Sequence, residues 1–572
     1  MIKAFWTRMI VLGAALAVAA LPAAAAKAPF TSKPGATTKS STAAKAAPAA
    51  KSSVAMSPTG LTAAGMDQVS PPNPFEAGPA PLPQSAIDRA VFAKLKQQGI
   101  EPANLCSDSV FVRRAYLDVI GTLPTAQEAK DFLLDKDPAK RRLLIDRLLE
   151  REEYVDYWTM KWDDLLRVKA EFPINLWPNA VQAYHQWLRA CMRENMPYDR
   201  FVRELLTSSG SNFRVPPVNF YRAVQSRDPA GLAQAVALTF MGMRADKMPK
   251  ERLTAMGVFF SRVGYKSTLE WKEEFVFFDT TKPATANATL PDGTAVALPP
   301  DRDPREVFAG WFLTPTNPYF TKNIVNRAWS WTVGRGVIHE PDDIRPDNPA
   351  SNPELLAALE RELITARYDM KALLRVILNS TTYQLSSIPR SGDPKAPDPK
   401  GEMYFARYGL RRLEAEVLID ALCQITGTTE QYSSPIPEPF TFIPGSHRSI
   451  ALPDGSITSS FLETFGRPAR DTGLESERSG RATAGQRLHL LNSTHIQRKI
   501  EQSGKLQKMM SARNTPRETA TAIYLTVLSR FPTEEELKVA TAYAQSSSAK
   551  GREAAQDLVW ALVNSAEFLY RH

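Results

Sequence analysis

YLDVIGTLPTAQE, residues 116–128, returns near the other end of the chain as YLTVLSRFPTEEE, residues 524–536. Tyr, Leu, Val, Pro, Thr and Glu recur in register. In both copies an apolar helical pattern runs into a small residue, Gly121 or Ser529, and a Pro-Thr pair then opens the next segment. Thr125-Ala-Gln-Glu128 and Thr533-Glu-Glu-Glu536 are capping boxes, in which the hydroxyl and the Glu satisfy each other's backbone donors. Each unit is therefore predicted as helix, tight turn, helix. A second echo follows each copy: LIDRLLEREEY (144–154) and LVWALVNSAEF (558–568), with LLRVILNSTTY (373–383) of the same shape. In all three, apolar side chains at helical spacing end in an aromatic ring one turn later. Tyr154, Tyr383 and Phe568 are expected to be buried latches, each packing within its own part of the chain.

Working outward, Ser85-Ala-Ile-Asp88 and Thr515-Pro-Arg-Glu518 mark further helix starts, and Pro353 and Pro516 stand at first helical positions, where the missing N–H costs nothing. Residues 273–303 break the pattern, with Phe275-Val-Phe-Phe278 and then ATLPDGTAVAL centred on Asp292-Gly293, a hairpin signal. The fold class expected is mainly α. Two multi-helical domains, 84–265 and 305–572, flank a small β insertion at 266–304. A long irregular stretch, 433–473, holds another Asp454-Gly455 turn; loops of this length are usually functional or wrap the surface.

A chain of 572 residues is too long for one core of about 150 residues. Its hydrophobic share of 43% and charged share of 23% exclude a polytopic membrane protein and a wholly disordered chain. Of the net charge of +9, +5 falls in residues 1–83 and only +4 in all the rest, so the folded body is not a nucleic-acid binder on charge grounds. Cys106, Cys191 and Cys423 are too few for a disulfide framework or a four-cysteine zinc site. Lys3 and Arg8, the apolar run 9–21 and the alanines before Lys27 read as a signal peptide, 1–26, with cleavage near Ala26. No integral membrane span is expected after that cleavage. Residues 27–83, rich in Ala, Pro, Ser, Thr and Lys, read as a disordered linker.

The chain contains no G-x-S-x-G, G-x-x-x-x-G-K-[ST], H-E-x-x-H or C-x-x-C motif, so no catalytic residue and no metal ligand is assigned. His489 and His495, six apart, would fall on different faces of one helix. His339-Glu-Pro-Asp-Asp343, flanked by Arg335 and Arg345, is expected to be a salt-bridged turn. Arg412, Glu416 and Asp420 are spaced to share one helix face. With Asn326, Arg327, Asp342 and Asp343 they form the expected structural polar network, since buried charges need partners. Arg467, Arg470, Asp471, Glu475, Glu477 and Arg478 form the candidate binding segment, because clustered arginines in an irregular segment suit sulfate, phosphate or carboxylate groups. The alternative is a surface tangle of ion pairs.

These segments resemble a known family. DRAVFAKLKQQGI, RRAYLDVIGTLPTAQEAKDFL, WLRACMRENMPYDRFVRELL and NFYRA resemble the domain of unknown function 1549. DPREVFAGWFLTPTNPYFTKNIVNRAWSWTVGRGVIHEPDDIR, YDMKALLRVILNSTTYQLS, RRLEAEVLIDAL and QRLHLLNSTHIQRKI resemble the domain of unknown function 1553. The resemblance implies an exported protein of planctomycete and verrucomicrobial-type bacteria, from a cytochrome-associated family without an established activity. Relatives commonly carry a C-x-x-C-H-type stretch after F-x-G-x-R; here Phe240-Met-Gly-Met-Arg244 runs into Ala245-Asp-Lys-Met-Pro-Lys250. Leu474 and Ser476 stand where relatives have further cysteines. Covalent haem needs those thiols, so no cofactor is expected, and the two losses are consistent with one cysteine-dependent site lost as a unit.

Three readings follow. The first is an exported, non-catalytic scaffold or binding protein of the periplasm or cell envelope, whose partner is another exported envelope protein or a glycan. The second is an envelope hydrolase or polysaccharide-processing accessory using Asp342, Asp343, Glu414 or Glu416. The third is a redox partner, carried by family association alone.

Overall fold

In the computed structural model, which describes residues 73–78, 80–390, 398–443, 445–511, 514–546 and 551–572, both repeat copies form helix, turn, helix. The helix Asp108–Ile120 stops at Gly121 (φ 59°) and the helix Pro516–Leu528 at Ser529 (φ 60°), each in the left-handed conformation that ends a helix. Gly121 is required: an added Cβ would lie 2.4 Å from Cδ2 of Tyr157. Both capping boxes form, opening the helices Ala126–Leu134 and Glu534–Ala544.

The copies also share a charged latch that the chain builds in two ways. In the first, Arg151 bridges Glu128 (2.7 Å) and Glu153 (2.6 Å) over the ring of Tyr116. In the second, Arg530 bridges Glu536 (2.8 Å) and Glu567 (2.6 Å) over the ring of Tyr524. The acids and tyrosines correspond in register, but the arginines do not. Arg151 stands where the second copy has Ser565, and Arg530 where the first has Thr122. The local field of two carboxylates fixes the need for a guanidinium, and either position can deliver it.

Tyr154, Tyr383 and Phe568 are all buried, as expected. Their packing within separate parts of the chain is corrected by the structure. The copies pack on each other: Arg113 of the first donates to the carbonyls of Val527 (2.8 Å) and Phe568 (2.9 Å) in the second and lies over the Phe568 ring. Carbonyls left open at a helix end attract a buried guanidinium more strongly than proximity in sequence favours local packing.

Residues 74–572 form one compact unit, and segments 84–265 and 305–572 share its core. The helix Glu152–Leu165 is buried nearly all round. Its Trp158 and Trp162 meet Trp331 of the helix Phe320–Val333 at ring distances of 5.7 and 6.2 Å. Edge-to-face aromatic pairs of this kind contribute about 0.5–1.5 kcal/mol each beyond their burial. The helix Ala86–Gln98 packs on the helix Pro353–Thr365, which Asn352 caps and in which Pro353 holds the first position as the sequence suggests. The strand Tyr570–Arg571 closes the chain against Arg411–Arg412.

The β elements stay small. The hairpin Asn287–Thr289/Ala295–Ala297 turns at Asp292-Gly293, and Glu274–Phe278 pairs with Val263–Ser267. Gly210–Ser211, distant in sequence, adds a third strand. The expected signal peptide and residues 27–72 of the linker lie outside the described residues. The last part of the expected linker is folded: Glu76–Ala77 pairs with Leu105–Cys106, and the Leu82 carbonyl accepts from the Thr381 hydroxyl at 2.8 Å. Phe75, packed against the core, anchors this segment.

Candidate functional site

The arginine segment does not lie on a free face. Arg467 and Arg470 are 3% and 1% exposed in their side chains, enclosed by the helices Glu152–Leu165 and Ala415–Thr426. Arg470 holds Asp164 at 2.9 Å and Asp163 at 3.6 Å, and Arg478 joins Asp164 and Glu416, each at 2.6 Å. Arg467 pairs with Glu416 at 3.6 Å and donates to the Ile457 carbonyl. Burial alone would raise the Asp164 carboxyl, but the Arg478 and Arg470 guanidiniums outweigh it and hold it below the usual range. Burial, helped by Arg470, lowers Arg467 to about 10. Asp471 pairs with Lys169 at 2.6 Å, and Glu477 accepts the backbone N–H of Asp471 at 2.9 Å. The helices on either side are buried nearly all round and carry Asp163, Asp164 and Glu416 into the interior, which requires cations from the irregular segment.

A second network lies on the other side of that segment. Arg327 binds Asp342 at 2.7 Å, Asp342 accepts the N–H of Glu475 at 2.6 Å, and Glu475 accepts from the Trp331 indole at 2.9 Å. Asn326 clasps the backbone N–H and carbonyl of Ile338 at 2.9 Å each. Asp343 pairs with Arg345 at 2.8 Å, giving the salt-bridged turn that the sequence suggests. The expected helix face of Arg412, Glu416 and Asp420 is corrected. Arg412 lies in the strand Arg411–Arg412, before the helix begins at Ala415, and donates to the Phe465 carbonyl at 2.6 Å. Asp420 instead accepts the N–H groups of Ser449 (2.7 Å) and Ile450 (3.1 Å). Burial pushes its carboxyl up despite Arg448 nearby.

Sequence reasoning missed a third network. Asp118 accepts from the hydroxyls of Tyr383 (2.9 Å) and Tyr408 (2.7 Å) and pairs with Arg411 and Arg571 at 3.1 Å each. Glu414 pairs with Lys161 at 2.8 Å and Arg571 at 2.9 Å. Burial opposes ionisation of Glu414, yet Lys161 and Arg571 prevail and hold it well below the usual carboxylate range. The signal was present in the charged pair Arg113-Arg114 and in Asp118 within an otherwise apolar helix.

Beside these networks lies a polar cleft of about 320 Å³. The first repeat supplies Thr125, Glu128, Arg151 and Glu153 to one wall. The helix Ala415–Thr426 supplies Asp420 and Cys423, and irregular segments supply Glu430, Tyr432 and Arg448. Cys423 Sγ lies 3.4 Å from Lys499 Nζ, which pairs with Glu430 at 3.1 Å; Glu430 also meets His495 at 2.9 Å. Burial raises the Cys423 thiol more than Lys499 lowers it, so the sulfur stays protonated near neutrality. His489 and His495 do not occupy different faces of one helix. The helix breaks at Ser493, which caps the next one, and the two rings come within 5.7 Å. Among the described residues, no three His, Cys, Asp or Glu side chains gather as a metal site, and no helix is long and apolar enough to cross a membrane.

These features describe a mainly helical protein in which two repeat-related segments close around shared buried charge. Residues 86–254 match the family model PSCyt2, protein of unknown function (DUF1549), and residues 304–544 match PSD1, protein of unknown function (DUF1553). The chain belongs to this tandem family. No curated protein and no solved structure matches it. The segment that precedes one of the places where the resemblance implies cysteines, and the other place itself, both touch the turn at Asp342-Asp343. Met243 bridges to Asp343, and Glu475, between Leu474 and Ser476, donates to Asp342.

Proposed function

We propose that this chain is an exported, non-catalytic binding protein of the cell envelope, with the 320 Å³ polar cleft as its ligand site. The observation that carries this reading is the state of the acids a hydrolase would use. Asp342, Asp343, Glu414 and Glu416 each pair with an arginine or lysine within 2.8 Å, and none lines the cleft. A general acid needs a carboxyl that holds its proton near neutral pH and faces a substrate; Glu414 is pushed the other way, and Asp420, the cleft carboxyl that burial raises, has its two oxygens taken up by the N–H groups of Ser449 and Ile450. The cleft offers carboxylates, guanidiniums and hydroxyls on facing walls, which suits the hydroxyl groups of a glycan or the backbone of a peptide segment. Exposed Trp271 and Phe440 form an aromatic cluster with half-buried Trp177, with Trp271 4.9 Å from Trp177 and 5.6 Å from Phe440. Aromatic surface of this kind marks contact faces.

The test is recovery of envelope glycan or protein by the full chain against a Tyr432→Ala, Glu153→Gln double variant. We expect the wild type to retain a specific envelope component and the variant to lose it at unchanged secondary structure. Release of soluble sugar or peptide from that component by the wild type would overturn the non-catalytic reading. Intact-mass measurement of the exported chain should begin near Lys27; retention of Met1 would remove export with cleavage.

A further inference from the structure

A second cavity, of about 240 Å³, opens beside the end of the helix Phe320–Val333. Its lining is cationic: Arg335, Arg407, Arg411 and His339, with Glu402 as the one acid among the described residues. The charge of Glu402 is already engaged, because Arg407 holds it at 2.9 Å and Asp398 at 2.7 Å. Arg411 turns its two Nη groups inward, to the carbonyls of Trp331 (2.8 Å) and Thr332 (2.7 Å) and to Asp118. Its Nε–H remains buried without an acceptor. The Nε–H of Arg335 is likewise buried and unmatched, and Arg335 forms no ion pair among the described residues. Gly334 brings these two arginines together. It sits at φ 98°, and a Cβ there would lie 2.7 Å from Arg411 Cδ.

Buried donors without acceptors are unfavourable, and donors on guanidinium groups more so than on neutral ones. The two arginines that carry these donors, from separate chain segments, line one cavity together with an imidazole. An oxyanion presents several lone pairs and matches the planar guanidinium. We propose that this cavity is an oxyanion site, in which Arg335, His339 and the Nε–H of Arg411 receive a sulfate or phosphate group. That group has two possible sources, a free anion or a substituent on an acidic glycan. The site is separate from the polar cleft and does not rest on it.

The experiment is isothermal titration of the full chain with inorganic sulfate, inorganic phosphate, a sulfated oligosaccharide and its desulfated counterpart, at constant ionic strength set with chloride. We expect saturable binding at one site per chain by at least one of the three anionic probes. Arg335→Gln should weaken it by roughly tenfold or more, as loss of a charge-assisted contact does. Because Arg335 has no ion pair to lose, the same variant should melt at the wild-type temperature without ligand. His339→Gln should weaken binding by a smaller factor, while Arg200→Gln, on another helix, should leave it unchanged. Tighter binding of the sulfated oligosaccharide than of inorganic sulfate assigns the glycan source; equal binding assigns the free anion. Heat signals that do not saturate with any probe, or affinity unchanged in Arg335→Gln, would overturn the proposal and leave the two donors to water.

Discussion

Arg470→Met tests whether the arginine segment is an internal clamp or a surface. Arg470 is fully enclosed, with Asp164 at 2.9 Å, Asp163 at 3.6 Å and the Val168 and Pro453 carbonyls at 3.4 and 3.3 Å. Methionine fills most of the same volume, so the loss isolates charge from packing. Removing one partner of a buried pair costs about 3–5 kcal/mol, because the stranded carboxylate stays desolvated. Here Asp163 keeps His185 and Asp164 keeps Arg478, which places the expectation near the lower end, about 3 kcal/mol. Unfolding entropy near 2.1 cal/mol/K per residue makes about 1 kcal/mol/K for a unit of this size, so the melting temperature should fall by about 3 °C. Calorimetry of wild type, Arg470→Met, Asp164→Asn and the double variant measures the coupling. The double variant should be less destabilised than the sum of the single ones. An Arg470→Met protein that melts with the wild type, or strict additivity, would refute the clamp and restore the segment as a free face.

Two further expectations follow from the same physics. Gly121→Ala and Ser529→Gly act at equivalent positions of the repeat with opposite signs. Gly121→Ala should destabilise by more than about 1 kcal/mol, through left-handed strain and contact with Tyr157. Ser529→Gly should stabilise by up to about 1 kcal/mol, by relieving that strain and removing a buried, unpartnered hydroxyl; urea midpoints for both variants decide it. Acid sensitivity should track Glu414. Its folded carboxyl lies well below the unfolded value, so its contribution is fully present above the unfolded value of about 4.3 and is lost as pH falls through the folded one. Glu414→Gln should therefore be least stable relative to wild type at pH 7, with the gap narrowing in melts below about pH 4. A gap independent of pH would mean that the carboxylate is not held by Lys161 and Arg571.

Local structure was legible because it is encoded locally. Capping boxes, the Gly121 and Ser529 turns, the Asp292-Gly293 hairpin and the three aromatic latches each depend on residues within a few positions of one another. The tandem family was legible for the same reason, as ordered runs of residues. Side-chain pairing was not. The sequence placed Arg412 on a helix face with Glu416, but a cross-strand pairing with Tyr570 holds it outside the helix. It read Arg467 and Arg470 as available, because the carboxylates that hold them stand elsewhere in the chain, Glu416 for Arg467 and, some 300 positions away, Asp163 and Asp164 for Arg470. It separated His489 from His495, and one cap at Ser493 brought their rings together. Above all, composition and periodicity show that an amphipathic helix must bury its apolar stripe without saying against what. The tertiary structure decided that the two repeat copies close on each other through Arg113. A buried guanidinium accepts any open carbonyl that the fold presents, however distant in the chain.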